Sequence, residues 1–210
     1  KINGFLLDLG VSSTQLDNLS RGFSFRAGSP LDMRFSPRQV DSAYDLVNNS
    51  SEETLARIFR AYGEEKNSWI IARRIVEARK LEPIRDADTL SGIAAKVNRS
   101  KDKHPATRIF QALRIAVNRE LEVLEQVIAP AISLLSPGGR GVIISYHSLE
   151  DRIVKNIFRK EATECLCDKK LPICVCHHKP MVKIITKKPV TPKDEELRQN
   201  SRSRSAKMRV

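Results

Sequence analysis

Hydrophobic side chains begin at once. Ile2-Asn3-Gly4-Phe5-Leu6-Leu7-Asp8-Leu9 is nearly continuous in apolar residues and closes on Asp8 and Gly10. A short apolar run ending in a turn signal predicts a buried strand of the kind a parallel sheet covers on both faces. Residues 11–40 lose the pattern and predict a long loop, one that carries Phe23, Phe25 and Met33 and so differs from a plain disordered segment. From Ser42 to Arg99 the period becomes helical. Ser50-Ser51-Glu52-Glu53 supplies a cap and an acidic first turn, Leu55, Ile58, Phe59 and Tyr62 follow at helical spacing, and Gly63 predicts a stop. Trp69, Ile70, Ala72, Ile75, Val76 and Ala78 predict a second helix with Arg73, Arg74, Arg79 and Lys80 on its polar side; Asp88 to Val97 predict a third. A long helix over 105–135, opened by Pro105, comes next. Ser136-Pro137-Gly138-Gly139 then turns the chain into a second buried strand, Gly141 to Tyr146, and His147 to Asp151 start a helix that runs through Phe158. Val182 to Thr186 and Ser205 to Val210 read as short late strands.

Strand, helical stretch, helix, strand, helix is an α/β order. Residues 1–41 hold the first strand and its loop, 42–104 read as an inserted all-helical domain, and 105–210 complete the α/β core.

The chain has 210 residues, 40% of them hydrophobic, enough for a folded core. No apolar run approaches the roughly 20 residues of a membrane span, and the start is not a signal peptide, because its short apolar run ends in an acid. Lys1 in place of Met, with a strand beginning immediately, suggests a chain cut out of something longer. The net charge is +12, and residues 179–210 hold ten Lys/Arg against three acids, a net +7. Such an excess favours a polyanionic partner through counterion release; a solubilising tail accounts for it equally well.

In open α/β sheets, ligands bind outside the carboxyl ends of the strands. The first such end carries Asp8, with Ser12, Ser13 and Gln15 just beyond; the second carries Tyr146, His147 and Ser148. Taken singly, Asp8 reads as a turn former and His147 as a satisfied structural histidine. The four cysteines form C-x-C…C-x-C, Cys165, Cys167, Cys174 and Cys176, followed by His177 and His178. Four soft ligands in one short loop suit tetrahedral zinc. The stronger zinc spacing is C-x₂-C, so free thiols and disulfides stand as alternatives.

The wording of several segments narrows this. Phe5-Leu6-Leu7-Asp8-Leu9-Gly10-Val11-Ser12-Ser13-x-Gln15-Leu16-Asp17 resembles a motif of the bacterial ribosomal RNA small subunit methyltransferase H family, also called MraW. Arg21-Gly22-Phe23-Ser24-Phe25, Pro30-Leu31-Asp32-Met33-Arg34, Tyr62-Gly63-Glu64-Glu65-Lys66 and Ala72-Arg73-Arg74-Ile75-Val76 follow in family order. So do the stretch from His104-Pro105-Ala106-Thr107-Arg108 to Leu121, His147-Ser148-Leu149-Glu150-Asp151, and Ser203-Arg204-Ser205-Ala206-Lys207-Met208-Arg209.

The resemblance implies a Rossmann-like class I sheet that uses S-adenosylmethionine to methylate N4 of a cytidine in 16S ribosomal RNA. It implies a cytoplasmic protein whose partner is the small ribosomal subunit, with no membrane association. The oligomeric state, a homodimer included, is not legible. The family's glycine-rich cofactor loop and ribose-binding acid have no counterpart here, so the N-terminal strands are expected to be missing. By resemblance, Asp8 and Gln15 contact the cofactor, and Asp8 with His147 or Ser148 holds the target amine. Arg21, Phe23, Phe25 and Arg34 are candidates to clamp an extruded cytidine; the same Phe residues equally serve to fold the loop over the core. Arg108, Arg114 and Arg119, on successive turns of one expected helix, contact RNA phosphates or merely solubilise it. A cytosolic enzyme keeps thiols reduced, which disfavours disulfides, and zinc on four cysteines would be structural. The second reading is a non-catalytic ribosomal RNA-binding module.

Overall fold

The computed structural model describes residues 1–25, 28–98, 104–168, 171 and 173–210. In chain order its elements are β1 (Ile2–Asp8), α1 (Ser13–Asp17), α2 (Ala43–Asn49), α3 (Glu52–Gly63), α4 (Ser68–Arg79), α5 (Ala87–Ala95), α6 (Thr107–Asn118), α7 (Glu120–Leu134), β2 (Leu135–Ser145), α8 (Ser148–Glu161), α9 (Asp194–Gln199) and β3 (Lys207–Arg209). Short 3-10 turns cover Leu19–Arg21 and Ser201–Ser205. Arg99, where the helical stretch was expected to end, and positions 169, 170 and 172 of the cysteine-rich loop lie outside the described residues. The chain divides into two compact units, Val11–Glu120 and Lys1–Gly10 with Leu121–Val210.

The unit Val11–Glu120 is helical. Its helices start where the sequence offers oxygen caps: the Ser51 side chain accepts from Thr54 N at the head of α3, and that of Asp86 from Thr89 N at the head of α5. Leu55, Phe59, Ile71, Ile75, Leu90, Ile109 and Leu113 form a closed core. Leu31 and Met33, from the segment expected to be loop, are buried in the same core, and Phe23 joins them. The loop is therefore folded by its apolar residues, and the expected helical stretch 42–104 packs together with it and with 105–117.

Three expectations are corrected in this unit. In α4 the buried face is Ile71, Ala72 and Ile75, while Trp69 and Ile70 are exposed. Arg79, expected on the polar side, donates instead to the carbonyls of Val47 and Ser50, both at 2.6 Å. α3 does end at Gly63, and the left-handed residue that caps it is Glu64, at φ 49°. Gly63 serves a packing purpose, since a Cβ there would sit 2.5 Å from the Arg108 carbonyl oxygen of α6. Finally, the single helix expected over 105–135 is two, broken at Arg119 with φ 51°. The break has a tertiary cause. The Asn118 side chain accepts from Phe35 N at 2.8 Å and donates to the carbonyls of Met33 at 2.7 Å and Arg114 at 2.9 Å. Arg119 consequently does not share a helix face with Arg108 and Arg114.

The other unit is built on a three-stranded sheet in the order β1-β2-β3. β1 runs parallel to β2, with Leu6 opposite Val142 and Asp8 opposite Ile144; β3 is antiparallel, with Met208 opposite Ile144. Leu124, Ile128, Ile132, Val154 and Phe158 from α7 and α8 pack on Ile143, Phe5 and Leu7. The bidentate pair Arg209–Asp151, 2.7 and 3.1 Å, ties β3 to α8. β1 departs from expectation: alternation sends Phe5 and Leu7 to the core, while Leu6 remains 61% exposed. Val182 to Thr186 form no strand of their own; Ile185 and Thr186 donate to the Val210 carbonyl. The short helix α9 lies between Thr186 and β3. The α/β class holds, and no described helix is long and apolar enough to cross a membrane.

Candidate functional site

The parallel pairing of β1 and β2 brings Asp8 and Tyr146 to the same end of the sheet. The Tyr146 hydroxyl donates to Asp8 Oδ1 at 2.9 Å. Burial, and then the hydrogen bond to Asp8, push the Tyr146 phenol up to about 12, so it stays a donor at neutral pH. Gly10, in the left-handed region at φ 87°, turns the chain away just after β1, and a Cβ there would lie 3.8 Å from the Tyr146 ring. Asp8 itself is exposed. An exposed carboxylate, oriented by a phenol at a strand end, suits the hydroxyls or amines of a nucleoside, so the donor set fits an adenosyl group. Tyr146 is the member of this pair that the sequence placed at the strand end without giving it a role. Its signal was its position in the strand directly beside β1.

His147 and Ser148 start α8. The His147 ring accepts from Glu150 N at 3.4 Å, and Glu150 Oε2 accepts from the backbone N–H of Tyr146 at 2.9 Å and of His147 at 3.3 Å. This is a capping box with histidine in the place usually held by Ser or Thr. His147 Nε2 lies 3.2 Å from Glu150 Oε1 but is not aligned to hydrogen-bond it. The structure thus gives His147 the structural work of a cap, and the partner of Asp8 is Tyr146. Ser148, exposed, is the first residue of α8.

The remaining expected site residues lie in the unit Val11–Glu120. Gln15 closes a capping box in α1, its Oε1 accepting from Ser12 N at 3.0 Å. Arg21 donates to the carbonyls of Arg34 and Phe35, both at 3.0 Å. Arg34 is paired with Asp32 at 2.8 Å and donates to the Gln39 carbonyl, also at 2.8 Å; the Arg34 guanidinium holds the Asp32 carboxyl below its ordinary value. Arg114 forms a two-pronged pair with Glu120, at 2.9 and 3.1 Å. Phe23 is buried, its ring 5.6 Å from that of Phe35. Phe25 is 38% exposed and stacks flat on His104, with ring centroids 4.3 Å apart and planes at 8°. Arg108 is exposed. Of the residues expected to meet RNA, Phe25 and Arg108 reach the surface of the unit, while Arg21, Arg34 and Arg114 brace the fold.

The four cysteines converge, with all their Sγ atoms within 4.8 Å of one another. Thiols this close titrate as a set. The His178 N–H, then that of Leu166, draw the Cys176 thiol down to about 6. At Cys165 the Cys167 N–H pulls down, but hydrogen bonds with Cys174 and Cys167 outweigh it and push the thiol up to about 12. A cavity of about 980 Å³ opens at the other, amino end of β1 and β2, bordered by Lys1, Phe5, Gly139, Lys183 and Lys187; neither Asp8 nor Tyr146 lines it.

An α/β protein with its chemistry-bearing side chains at strand ends is what this unit defines. A model of the MraW methylase family matches residues 1–210, and the chain belongs to that family. Proteins named ribosomal RNA small subunit methyltransferase H are similar to it along its whole length. That of Thermomicrobium roseum is 50% identical over 211 residues, 100% of this chain and 65% of the relative. That of Pelobacter propionicus is 53% identical over 213 residues, covering 100% and 68%. That of Fusobacterium nucleatum is 52% identical over 211 residues, covering 100% and 67%. The chain thus spans about two thirds of the length of these relatives.

Proposed function

We propose that this chain serves the methylation of small-subunit ribosomal RNA, at N4 of a cytidine in 16S RNA, in the cytoplasm. In this reading the sheet belongs to a Rossmann-like S-adenosylmethionine-dependent core. Two things support it: membership of the MraW methylase family, with relatives named as small-subunit RNA methyltransferases, and the exposed Asp8 carboxylate oriented by Tyr146 at the strand end. S-adenosylmethionine supplies an electrophilic methyl group when bound. The chain's own residues supply alignment and electrostatics.

The lone pair of cytosine N4 is delocalised into the ring, which makes the amine a poor nucleophile. Asp8 accepts hydrogen bonds from that amine and so favours the pyramidal nitrogen that a new N–C bond requires. Tyr146, a donor throughout the neutral range, fixes Oδ1 and leaves Oδ2 to the amine. Gln15 contacts the cofactor. Within the unit Val11–Glu120, Phe25, backed by His104, offers a π face to an RNA base, and Arg108 offers a cation to a phosphate. Arg21, Arg34 and Arg114 keep the loop and helix ends in place.

The test is Asp8→Ala, assayed for transfer of a labelled methyl group to small-subunit particles in protein of the relatives' full length. Loss of one preorganised electrostatic contact to the reacting group costs on the order of 100-fold in rate. Turnover near that of the parent refutes the role of Asp8. Calorimetric titration of this chain with S-adenosylmethionine and with 16S RNA separates the readings, since cofactor binding extends the enzyme reading to this chain and binding of RNA alone marks a binding module.

A further inference from the structure

We propose that Cys165, Cys167, Cys174 and Cys176 form a closed, structural zinc site that folds the segment between α8 and Met181. The geometry carries the assignment. Zinc–sulfur bonds of about 2.3 Å place the sulfurs of a tetrahedral site about 3.8 Å apart. Cys165 and Cys174 are 3.4 Å apart, Cys165 and Cys176 3.8 Å, and Cys174 and Cys176 3.6 Å. Each C-x-C arm contributes both of its sulfurs to one cluster. Two disulfides would call for two separate pairs, whereas here Cys165 and Cys174 each neighbour Cys176 as well.

The backbone around the cluster is arranged for thiolates. Leu166 N donates to Cys176 Sγ at 3.3 Å, and Cys167 N to Cys165 Sγ and Val175 N to Cys167 Sγ at 3.4 Å each. Such N–H···S bonds are the outer-shell support that orients metal ligands and spreads their charge. The histidines that follow are placed otherwise. His178 Nε2 lies 3.1 Å from the Lys160 carbonyl, and His177 sits at a left-handed φ of 50°.

A second observation is independent of the sulfurs. Among its described residues the segment has no helix or strand, and its apolar side chains are not buried: Leu171 is 50% exposed, Val175 66% and Ile173 74%. Hydrophobic burial therefore does not hold it. Its closing contact is Met181 N donating to the Glu161 carbonyl at 2.8 Å, at the end of α8. A short segment without a core needs a metal or a covalent staple to keep one shape. Four protein ligands leave no position for water or substrate, so the metal is structural, and binding it displaces the thiol protons into solvent.

The full chain, expressed with zinc present and purified without chelator, is expected to carry one zinc per chain by elemental analysis. Exchange with cobalt(II) is expected to give the intense visible bands of a tetrahedral thiolate site. Cys165→Ser with Cys174→Ser should lose the metal, and limited proteolysis should then open within 162–181 while the rest of the chain stays resistant. Cys176→His, which keeps a tetrahedral ligand set, should retain the metal. Background zinc in the parent protein together with four reagent-accessible thiols overturns the proposal. An intact mass lowered by disulfide formation overturns it as well, as does zinc that survives the double serine variant.

Discussion

Gly63 and Gly92 invite the same substitution with opposite results. Both are helical, Gly63 ending α3 and Gly92 lying inside α5. On propensity alone, Gly→Ala in a helix interior stabilises by about 1 kcal/mol, and Gly92 meets only this consideration, because a Cβ there has nothing within 4 Å. At Gly63 the added Cβ falls 2.5 Å from the Arg108 carbonyl oxygen and 3.2 Å from Ala112 Cβ. A relaxed carbon–oxygen contact is about 3.3 Å, so the backbones of α3 and α6 must separate by several tenths of an ångström. The obstacle is backbone and cannot swing aside. The same crossing holds the hydrogen bond from Gln111 Nε2 to the Tyr62 carbonyl at 3.0 Å, which the separation stretches. Overpacking costs about 1–3 kcal/mol and a weakened hydrogen bond about 1 kcal/mol. With the propensity gain set against these costs, Gly63→Ala is expected to destabilise by about 1–3 kcal/mol, and Gly92→Ala to stabilise by about 0.5–1 kcal/mol. Urea unfolding followed by circular dichroism reads both. A Gly63→Ala variant as stable as Gly92→Ala would refute the close helix crossing.

Asn118→Ala removes the bonds to Phe35 N and to the Met33 carbonyl and leaves partly buried backbone groups unpaired. The expected loss is about 2–3 kcal/mol, with faster amide exchange at residues 33–35, and unchanged exchange there counts against the tether. Asp151 has its pKa held below the ordinary carboxylate value, chiefly by the hydrogen bond from Arg209. A depressed folded pKa means stability that is present above the unfolded value and lost as pH falls through the folded one. Asp151→Asn should accordingly cost about 1–3 kcal/mol at pH 7 and flatten the acid limb of the stability–pH curve; a variant that keeps the parent's acid limb contradicts this.

Much that was legible in the sequence is local. Ser51 caps α3, as the run Ser50-Ser51-Glu52-Glu53 predicts, because a side-chain oxygen two or three residues from an unpaired N–H needs no distant partner. His147 and Glu150 mark the start of α8 for the same reason. The family was legible because whole segments such as Asp8 to Asp17 keep their wording, whatever they touch.

What depended on residues far away in the chain was not legible. The helix break at Arg119 follows from bonds that Asn118 makes to residues 83 and 85 positions earlier. The exposure of Leu6 depends on which face of the sheet α7 and α8 cover, and an apolar run cannot show that. Arg21, Arg34 and Arg114 carry the same charge as Arg108, yet their acceptors lie within the fold. C-x-C spacing left zinc, free thiols and disulfides open, and that the four sulfurs lie within 4.8 Å of one another is visible only in the fold. Sequence alone settles interactions that close within a turn or two of backbone; the tertiary structure decides the rest, because a side chain's role is set by whichever partner reaches it.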